Sequence, residues 1–254
     1  MITQNQLAAL GKFYQIDTVT VMREYLQLVF LSWLYREKKA DGIFFKGGTS
    51  LRLLFDSPRF SEDLDFSSLY PGRIIKLIVG PLEKSIGLEL PGVKIVHLHT
   101  GLNTSRFRLI FMSPLFKYPM VIRLDFNRVK KTEKIIASPV ITRYPVALMP
   151  VVNHLSAGEI LAEKICALIG RTKGRDIFDV WFLMEKGISV DKRLINQKLS
   201  EQKTGFKITD LSKKINNFPQ KELALDLNQF LPATHRKMIG SLRVRLLDQL
   251  TLLF

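Results

Sequence analysis

Residues 44–68 read FFKGGTSLRLLFDSPRFSEDLDFSS, and the order of events in this stretch decides the fold. An apolar run, Phe44-Phe45, enters the pair Gly47-Gly48; a segment of helical character follows; a basic turn then delivers two acids one residue apart, in Asp63-Leu64-Asp65. On a strand, side chains alternate, so Asp63 and Asp65 would share one face. Two like charges held that close are costly unless a cation lies between them, and hard divalent ions favour such oxygen ligands. Glycines at the mouth of a helix leave backbone N–H groups open to a phosphate, which the helix dipole also favours. Asp-x-Asp alone is common in surface loops. The upstream Gly-Gly is what sharpens it into a candidate site, with Thr49 and Ser61 at its edges.

Outward from this stretch, helical spacing predicts helices over Thr3 to Tyr14 and Val19 to Glu37, and a strand over Ile43 to Phe45. Downstream, Pro71 can open a helix running to Ile86, kinked or split at Gly80-Pro81. Strands are expected over Val93 to His99, Arg106 to Met112 and Pro119 to Asn127. Asp125 sits within the apolar run Val121 to Phe126, on the face of Arg123 and Asn127. An acid in such a strand needs a partner, a metal or a shifted pKa. It is either the third acid of a metal triad or one half of a salt bridge. Cations crowd after it, at Arg128, Lys130, Lys131 and Lys134. They read equally as an edge strand kept soluble or as a positive rim for a nucleic-acid backbone.

Pro139, Pro145 and Pro150 punctuate a connection, which sets the expected boundary near Pro150 to Leu155. Beyond it the pattern is helical. Ser156 with Glu159 reads as a capping box, and Arg175 to Glu185 is a helix closed by Gly187. Further helices are expected over Asp191 to Lys203, Thr209 to Asn217, Lys221 to Phe230 and Thr234 to Leu253. Lys164 interrupts an apolar pattern, Arg171 and Arg175 flank a turn, and Asp176 opens the next helix, with Asp179 one turn on. This group is either a helix pair held by salt bridges or a phosphate clamp oriented by Asp176. The fold class is α+β: residues 1–150 form an α+β part with a mixed sheet, and residues 151–254 a helical part.

Composition narrows the partners. A chain of 254 residues with 46% hydrophobic residues can bury a real core. With 38 Lys+Arg against 23 Asp+Glu, the net charge of +15 favours a polyanion such as nucleic acid. Cys166 is the one cysteine, which rules out an internal disulfide and a multi-cysteine zinc site and points to a reducing cytoplasm. The opening MITQNQLAAL lacks the pattern of a signal peptide, and no apolar run would span a bilayer.

Together, Phe45-Lys46-Gly47-Gly48-Thr49-Ser50-Leu51-Arg52, Arg59-Phe60-Ser61-Glu62-Asp63-Leu64-Asp65-Phe66, Glu163-Lys164 and Arg175-Asp176 with Asp179 resemble the AbiEii nucleotidyltransferases of the polymerase-β-like superfamily, which include toxins of type IV toxin–antitoxin and abortive-infection systems. The resemblance implies a polymerase-β-like domain over 1–150 and a helical domain over 151–254 that closes the nucleotide cleft. It implies Mg²⁺ or Mn²⁺ on Asp63 and Asp65, with Asp125 as a third ligand, and Gly47, Gly48, Thr49 and Ser61 at the nucleotide. By the same resemblance Lys164 and Asp176 join the catalytic residues, and Arg171 and Arg175 bind nucleotide. The expected activity is transfer of a nucleoside monophosphate from an NTP to RNA, such as a tRNA 3′ end, with a cognate antitoxin as partner. The rival readings are a non-catalytic GTP-, NTP- or RNA-binding protein of the same fold, and a nucleotidyltransferase acting on a small molecule.

Overall fold

The computed structural model describes residues 1–130, 134–200, 205 and 207–252. The chain divides into two units, Met1–Leu155 and Ser156–Phe254.

The first unit is built on one seven-stranded sheet: β1 (Ile43–Lys46), β2 (Leu64–Ser68), β3 (Lys94–Thr100), β4 (Thr104–Phe111), β5 (Met120–Arg128), β6 (Ile135–Pro139) and β7 (Val151–Leu155), in the order β3-β4-β5-β2-β1-β7-β6. β2 runs parallel to β5 and β1 parallel to β7, and the remaining pairs are antiparallel, so the sheet is mixed. Alternation sorts its two faces. Phe45, Leu64, Phe66, Phe107, Leu109, Ile122, Leu124 and Phe126 turn to one side and are buried. There Phe66 stacks on Phe126 at 4.6 Å between ring centres. The alternate positions, among them Lys46, Asp65, Arg106, Arg108, Arg123 and Asp125, turn to the other side, and that polar face carries the candidate site.

Two helices cover the apolar face from the N-terminal side. α1 (Gln4–Tyr14) opens on a reciprocal cap: Gln6 N–H donates to Thr3 Oγ1, and Thr3 N–H donates to the Gln6 side chain. α2 (Thr18–Leu34), capped by Asp17, is apolar on most of its surface and buries Val21, Tyr25, Leu28, Val29 and Phe30 in the sheet's core. α3 (Gly47–Phe55) links β1 to β2. α4 (Gly72–Val79) and α5 (Leu82–Gly87) are separate helices, broken at Gly80-Pro81 as the sequence predicts.

β6 and β7 are strands that the sequence reading lacks, since it treats 139–150 as a connection and predicts no strand after Asn127. Val151–Leu155 pairs with β1 and β6 and ends the first unit. Their short runs become strands because partners far along the chain complete their hydrogen bonds, which no local pattern reveals. Lys134 precedes the edge strand β6, and Lys131 lies outside the described residues.

On β7, buried His154 has its neutral ring satisfied: Nδ1 lies 2.8 Å from the Leu155 carbonyl and Nε2 3.0 Å from Ser138 Oγ. Burial lowers its pKa below the usual 6.5. The unfolded chain therefore takes up the proton more readily, and stability should fall as pH drops below 6.5. Urea midpoints at pH 7.5 and about pH 5 should diverge in the wild type and converge in His154→Gln; an equal drop in both would refute the assignment.

The second unit is helical: α6 (Ala157–Gly170), α7 (Gly174–Glu185), α8 (Lys192–Ser200), α9 (Ile208–Asn217), α10 (Gln220–Asn228), a 3-10 segment (Ala233–Gly240) and α11 (Leu242–Thr251). Ile165, Phe178, Leu183, Leu211, Leu223 and Leu246 are among its buried residues. Ser156 caps α6 by accepting from the Glu159 N–H, but the Glu159 carboxylate takes the Lys198 ammonium at 3.3 Å. Lys198 also meets Glu163; burial opposes its charge, yet the two acids hold its pKa above the ordinary value. Gly187, at φ 78°, ends the turn after α7 as its position predicts. The helix expected over Thr234 to Leu253 is divided into the 3-10 segment and α11, and residues 201–203 and 253 of the expected helices lie outside the described residues. Burial raises the Cys166 thiol to about 11, so it is an inert core residue. No helix among the described residues is long and apolar enough to cross a membrane.

Candidate active site

β1 delivers the chain to α3 at Gly47, whose φ of +81° lies in the left-handed region. A Cβ at Gly47 would overlap the carboxylate of Asp65, so the bare glycine lets this acid lie against the mouth of the helix. A Cβ at Gly48 would overlap the Arg59 guanidinium and stand 3.0 Å from Ser61 Oγ. The two glycines thus admit two different side chains from the same downstream stretch. Gly47→Ala should displace Asp65 and strain the backbone by about 1–2 kcal/mol; a shift of about 1 Å is enough for a loss near a hundredfold in turnover. Steady-state kinetics on folded Gly47→Ala protein would check this, and wild-type turnover would show that the approach does not matter.

The turn between α3 and β2 is fastened from several directions. Thr49 Oγ1 donates to the Asp63 carbonyl at 2.5 Å, which ties the acid turn to the first turn of α3. Gln27 of α2 donates to the Ser61 carbonyl at 3.0 Å. Arg59, 2% exposed, donates from Nη1 to the Phe60 carbonyl at 2.9 Å. The Thr49 hydroxyl is thus engaged within the chain.

Strand register then gathers the charges. Lys46 stands opposite Asp65, Asp65 opposite Asp125, and Asp125 opposite Arg106, in one row across β1, β2, β5 and β4. Neighbouring strands lie about 4.8 Å apart, so two carboxylates stand side by side at the centre of the row. Asp63, just before β2, is held by a two-pronged contact from Arg123: Nε donates to Oδ1 at 2.9 Å and Nη2 to Oδ2 at closer range. That bond raises the arginine's pKa further. Arg106 Nε lies 3.2 Å from Asp125 Oδ1. Asp125 thus has a salt bridge, to Arg106, and neighbours the other acids as well.

The donor set suits a hard divalent cation: carboxylate oxygens alone, on adjacent strands, beside a helix mouth. Among the described residues no three acids, histidines or cysteines are grouped as a metal cluster; Asp63 and Asp125 face arginines. The fit is one of residue type and placement, with the two guanidiniums in the cation's role.

Lys164, Arg171, Arg175, Asp176 and Asp179 form their own constellation within the helical unit. Lys164 Nζ lies 3.1 Å from Asp176 and 2.7 Å from Asp179, with both acids buried. Arg171 approaches Asp176 Oδ2 at 3.5 Å, too far for a hydrogen bond, and leaves that buried oxygen without one. Arg175 is committed to Asp226 at 3.2 Å and lies over the Phe230 ring. Arg171 is the solvent-exposed cation of this group.

Sequence reasoning missed Arg59, Arg106 and Gln27 as parts of the site. Arg106 was visible only as one of several outward residues of an alternating strand, and its place beside Asp125 depends on register. Arg59 adjoins the acid turn, but nothing local shows that it packs beneath Gly48.

A family profile described as nucleotidyl transferase AbiEii toxin, type IV TA system, matches residues 29–243. No curated protein matches the chain by sequence. Among solved structures, MenT4, a nucleotidyltransferase toxin from Mycobacterium tuberculosis H37Rv, superposes with a TM-score of 0.70 at 16% identity, over 100% of this chain and 90% of its own. JHP933 from Helicobacter pylori superposes with a TM-score of 0.63 at 19% identity, over 94% of this chain and 93% of its own. At these identities the structural likeness shows the fold, α+β on a mixed sheet. The profile covers most of the chain, including every motif named above, and so this protein belongs to the AbiEii nucleotidyltransferase toxins of type IV toxin–antitoxin systems.

Proposed function

We propose that the protein transfers a nucleoside monophosphate from an NTP to an RNA acceptor such as a tRNA 3′ end, and that it needs Mg²⁺ or Mn²⁺. The observation that supports this most is the contact of Asp65 with Gly47, which sets a row of acids directly against a helix mouth. The two features serve the two halves of one ligand: acids for its cation, and backbone N–H groups for its phosphates.

Asp63, Asp65 and Asp125 would hold the ion, which when bound supplies charge to the triphosphate and lowers the pKa of an attacking hydroxyl. Gly47, Gly48 and the Thr49 N–H would cradle the phosphates, because glycine leaves the backbone bare at closest approach. Ser61 lies beside Gly48, positioned by Gln27 through its carbonyl. Thr49 keeps Asp63 in register with α3 through the bond to its carbonyl. In the helical unit we assign Arg171 to an anion, with Lys164, Asp176 and Asp179 as the buried frame that orients it and Arg175 as the link to α10. The +15 charge favours a polyanionic acceptor over a small molecule. A lone buried cysteine suits a reducing cytoplasm, where a cognate antitoxin would meet it.

Purified protein incubated with labelled NTPs and total tRNA should label RNA and lose activity steeply as salt rises. Labelling of a small acceptor with weak salt dependence would overturn the RNA assignment.

A further inference from the structure

Two kinds of ion pair occur in the protein, and their exposure tells them apart. In the helical unit the Lys164 and Asp179 side chains are 14% and 0% exposed, and in the first unit those of Arg52 and Glu24 are 14% and 4% exposed; such largely covered pairs are fixed parts of the fold. Arg123 on Asp63 and Arg106 on Asp125 differ: the two arginine side chains are 56% and 59% exposed. Each guanidinium can leave its acid and swing into solvent without disturbing packing. Exposed pairs are screened by solvent, so exchange costs less here than at a covered pair, and less at the single contact of Arg106 than at the two-pronged contact of Arg123.

The acids themselves need a positive neighbour. Asp65 and Asp125 face each other on parallel strands, with Asp63 alongside, and like charges directly opposite repel. In the metal-free protein Arg123 and Arg106 offset that repulsion from the side of β5 and β4. A divalent cation needs the same carboxylate oxygens, so arginine and metal compete for Asp63 and Asp125. The displaced guanidiniums then stand on the same sheet face as the cation-bound phosphates, with planar donor forks suited to phosphate oxygens.

Resting on the nucleotidyltransferase reading of this site, we propose that Arg123 and Arg106 are exchangeable counter-ions: they mask Asp63 and Asp125 in the free enzyme and move onto the donor's phosphates when the metal–nucleotide complex arrives. The exchange keeps the metal-free acids compensated and makes metal binding depend on nucleotide. It also gives these two arginines a direct place in nucleotide binding.

The test reads metal and nucleotide separately. Nucleotide-free protein is titrated with Mn²⁺, and free Mn²⁺ is followed by electron paramagnetic resonance. The double variant R123Q/R106Q should bind Mn²⁺ about tenfold more tightly than wild type, from the loss of two nearby positive charges. In a second titration with Mg²⁺ and a non-hydrolysable GTP or ATP analogue, the same variant should bind nucleotide about tenfold more weakly. R123K/R106K, which keeps the charges but loses the fork, should stay near wild type for Mn²⁺ and fall between the two for nucleotide. Movement in opposite directions is the signature of exchange, which a general loss of structure cannot produce. Unchanged or weaker Mn²⁺ binding by R123Q/R106Q, no Mn²⁺ binding by any of the proteins, or a nucleotide affinity equal to wild type overturns the proposal. Failure of the transfer reading looks different: Mn²⁺ and nucleotide titrations as expected, with no pyrophosphate released from any NTP.

Discussion

Asp65→Asn should reduce nucleotide transfer on the order of a thousandfold while leaving the protein folded, a loss of about 4 kcal/mol of transition-state stabilisation. Asp65 is the acid at the centre of the charge row: Lys46 stands opposite it on one side and Asp125 on the other, and its carboxylate abuts Gly47. Asparagine keeps the shape and removes the charge that a divalent cation requires, and metal charge is worth several kcal/mol at a phosphate undergoing transfer. The position is only partly buried, so an amide there keeps access to water. Transfer rates beside a circular-dichroism melt measure both halves. Near-wild-type turnover would remove Asp65 from the mechanism, and unfolding of the variant would recast it as a structural acid.

A second large effect is expected away from the chemistry. Glu24, on α2, accepts from Arg52 Nε at 2.9 Å and from the Tyr144 hydroxyl at 2.8 Å, with its side chain 4% exposed. Arg52 also donates to the Ser57 carbonyl and lies 3.9 Å from the centre of the Phe60 ring. The cluster ties α2 to α3, the helix whose mouth carries Gly47 and Gly48, and to the loop at Tyr144. Burial and the neighbouring Glu24 push the Tyr144 pKa well up, so its hydroxyl stays protonated and donating. Glu24→Ala would leave the Arg52 guanidinium buried without its counter-charge, at a cost of about 3–5 kcal/mol. That is a large share of a typical folding stability of about 5–15 kcal/mol. Chemical denaturation should show the loss, and Glu24→Leu/Arg52→Met should recover most of it by removing both charges together. A single variant as stable as wild type would mean that the cluster is solvated in practice.

The sequence stretch from Phe44 to Ser68 carried most of what could be read locally. Gly-Gly at a helix start and the apolar alternation of Phe107, Leu109 and Phe111 are short-range signals and are present as expected, whereas of the two acids expected on one strand only Asp65 lies on β2 and Asp63 precedes it. What escaped were facts of register. β6 and β7 are strands because distant partners complete them, and Arg106 joins the acids because β4 pairs with β5 at that offset. Glu159 followed the same rule: Ser156 caps the helix as its spacing predicts, but a lysine on α8, invisible from the local motif, draws the carboxylate away. Charge spacing brought Lys164, Asp176 and Asp179 together, and in the structure Lys164 makes salt bridges to both acids, which are buried.

The fate of the nucleotide's phosphates tests nucleotidyl transfer most directly. Protein incubated with RNA and Mg²⁺ should receive parallel charges of NTP labelled at the α- or the γ-phosphate. Nucleotidyl transfer by the Asp65 site predicts that α-label enters RNA, that γ-label leaves only as pyrophosphate, and that a chelator stops both. Entry of γ-label into RNA, or transfer that persists in the chelator, would contradict it.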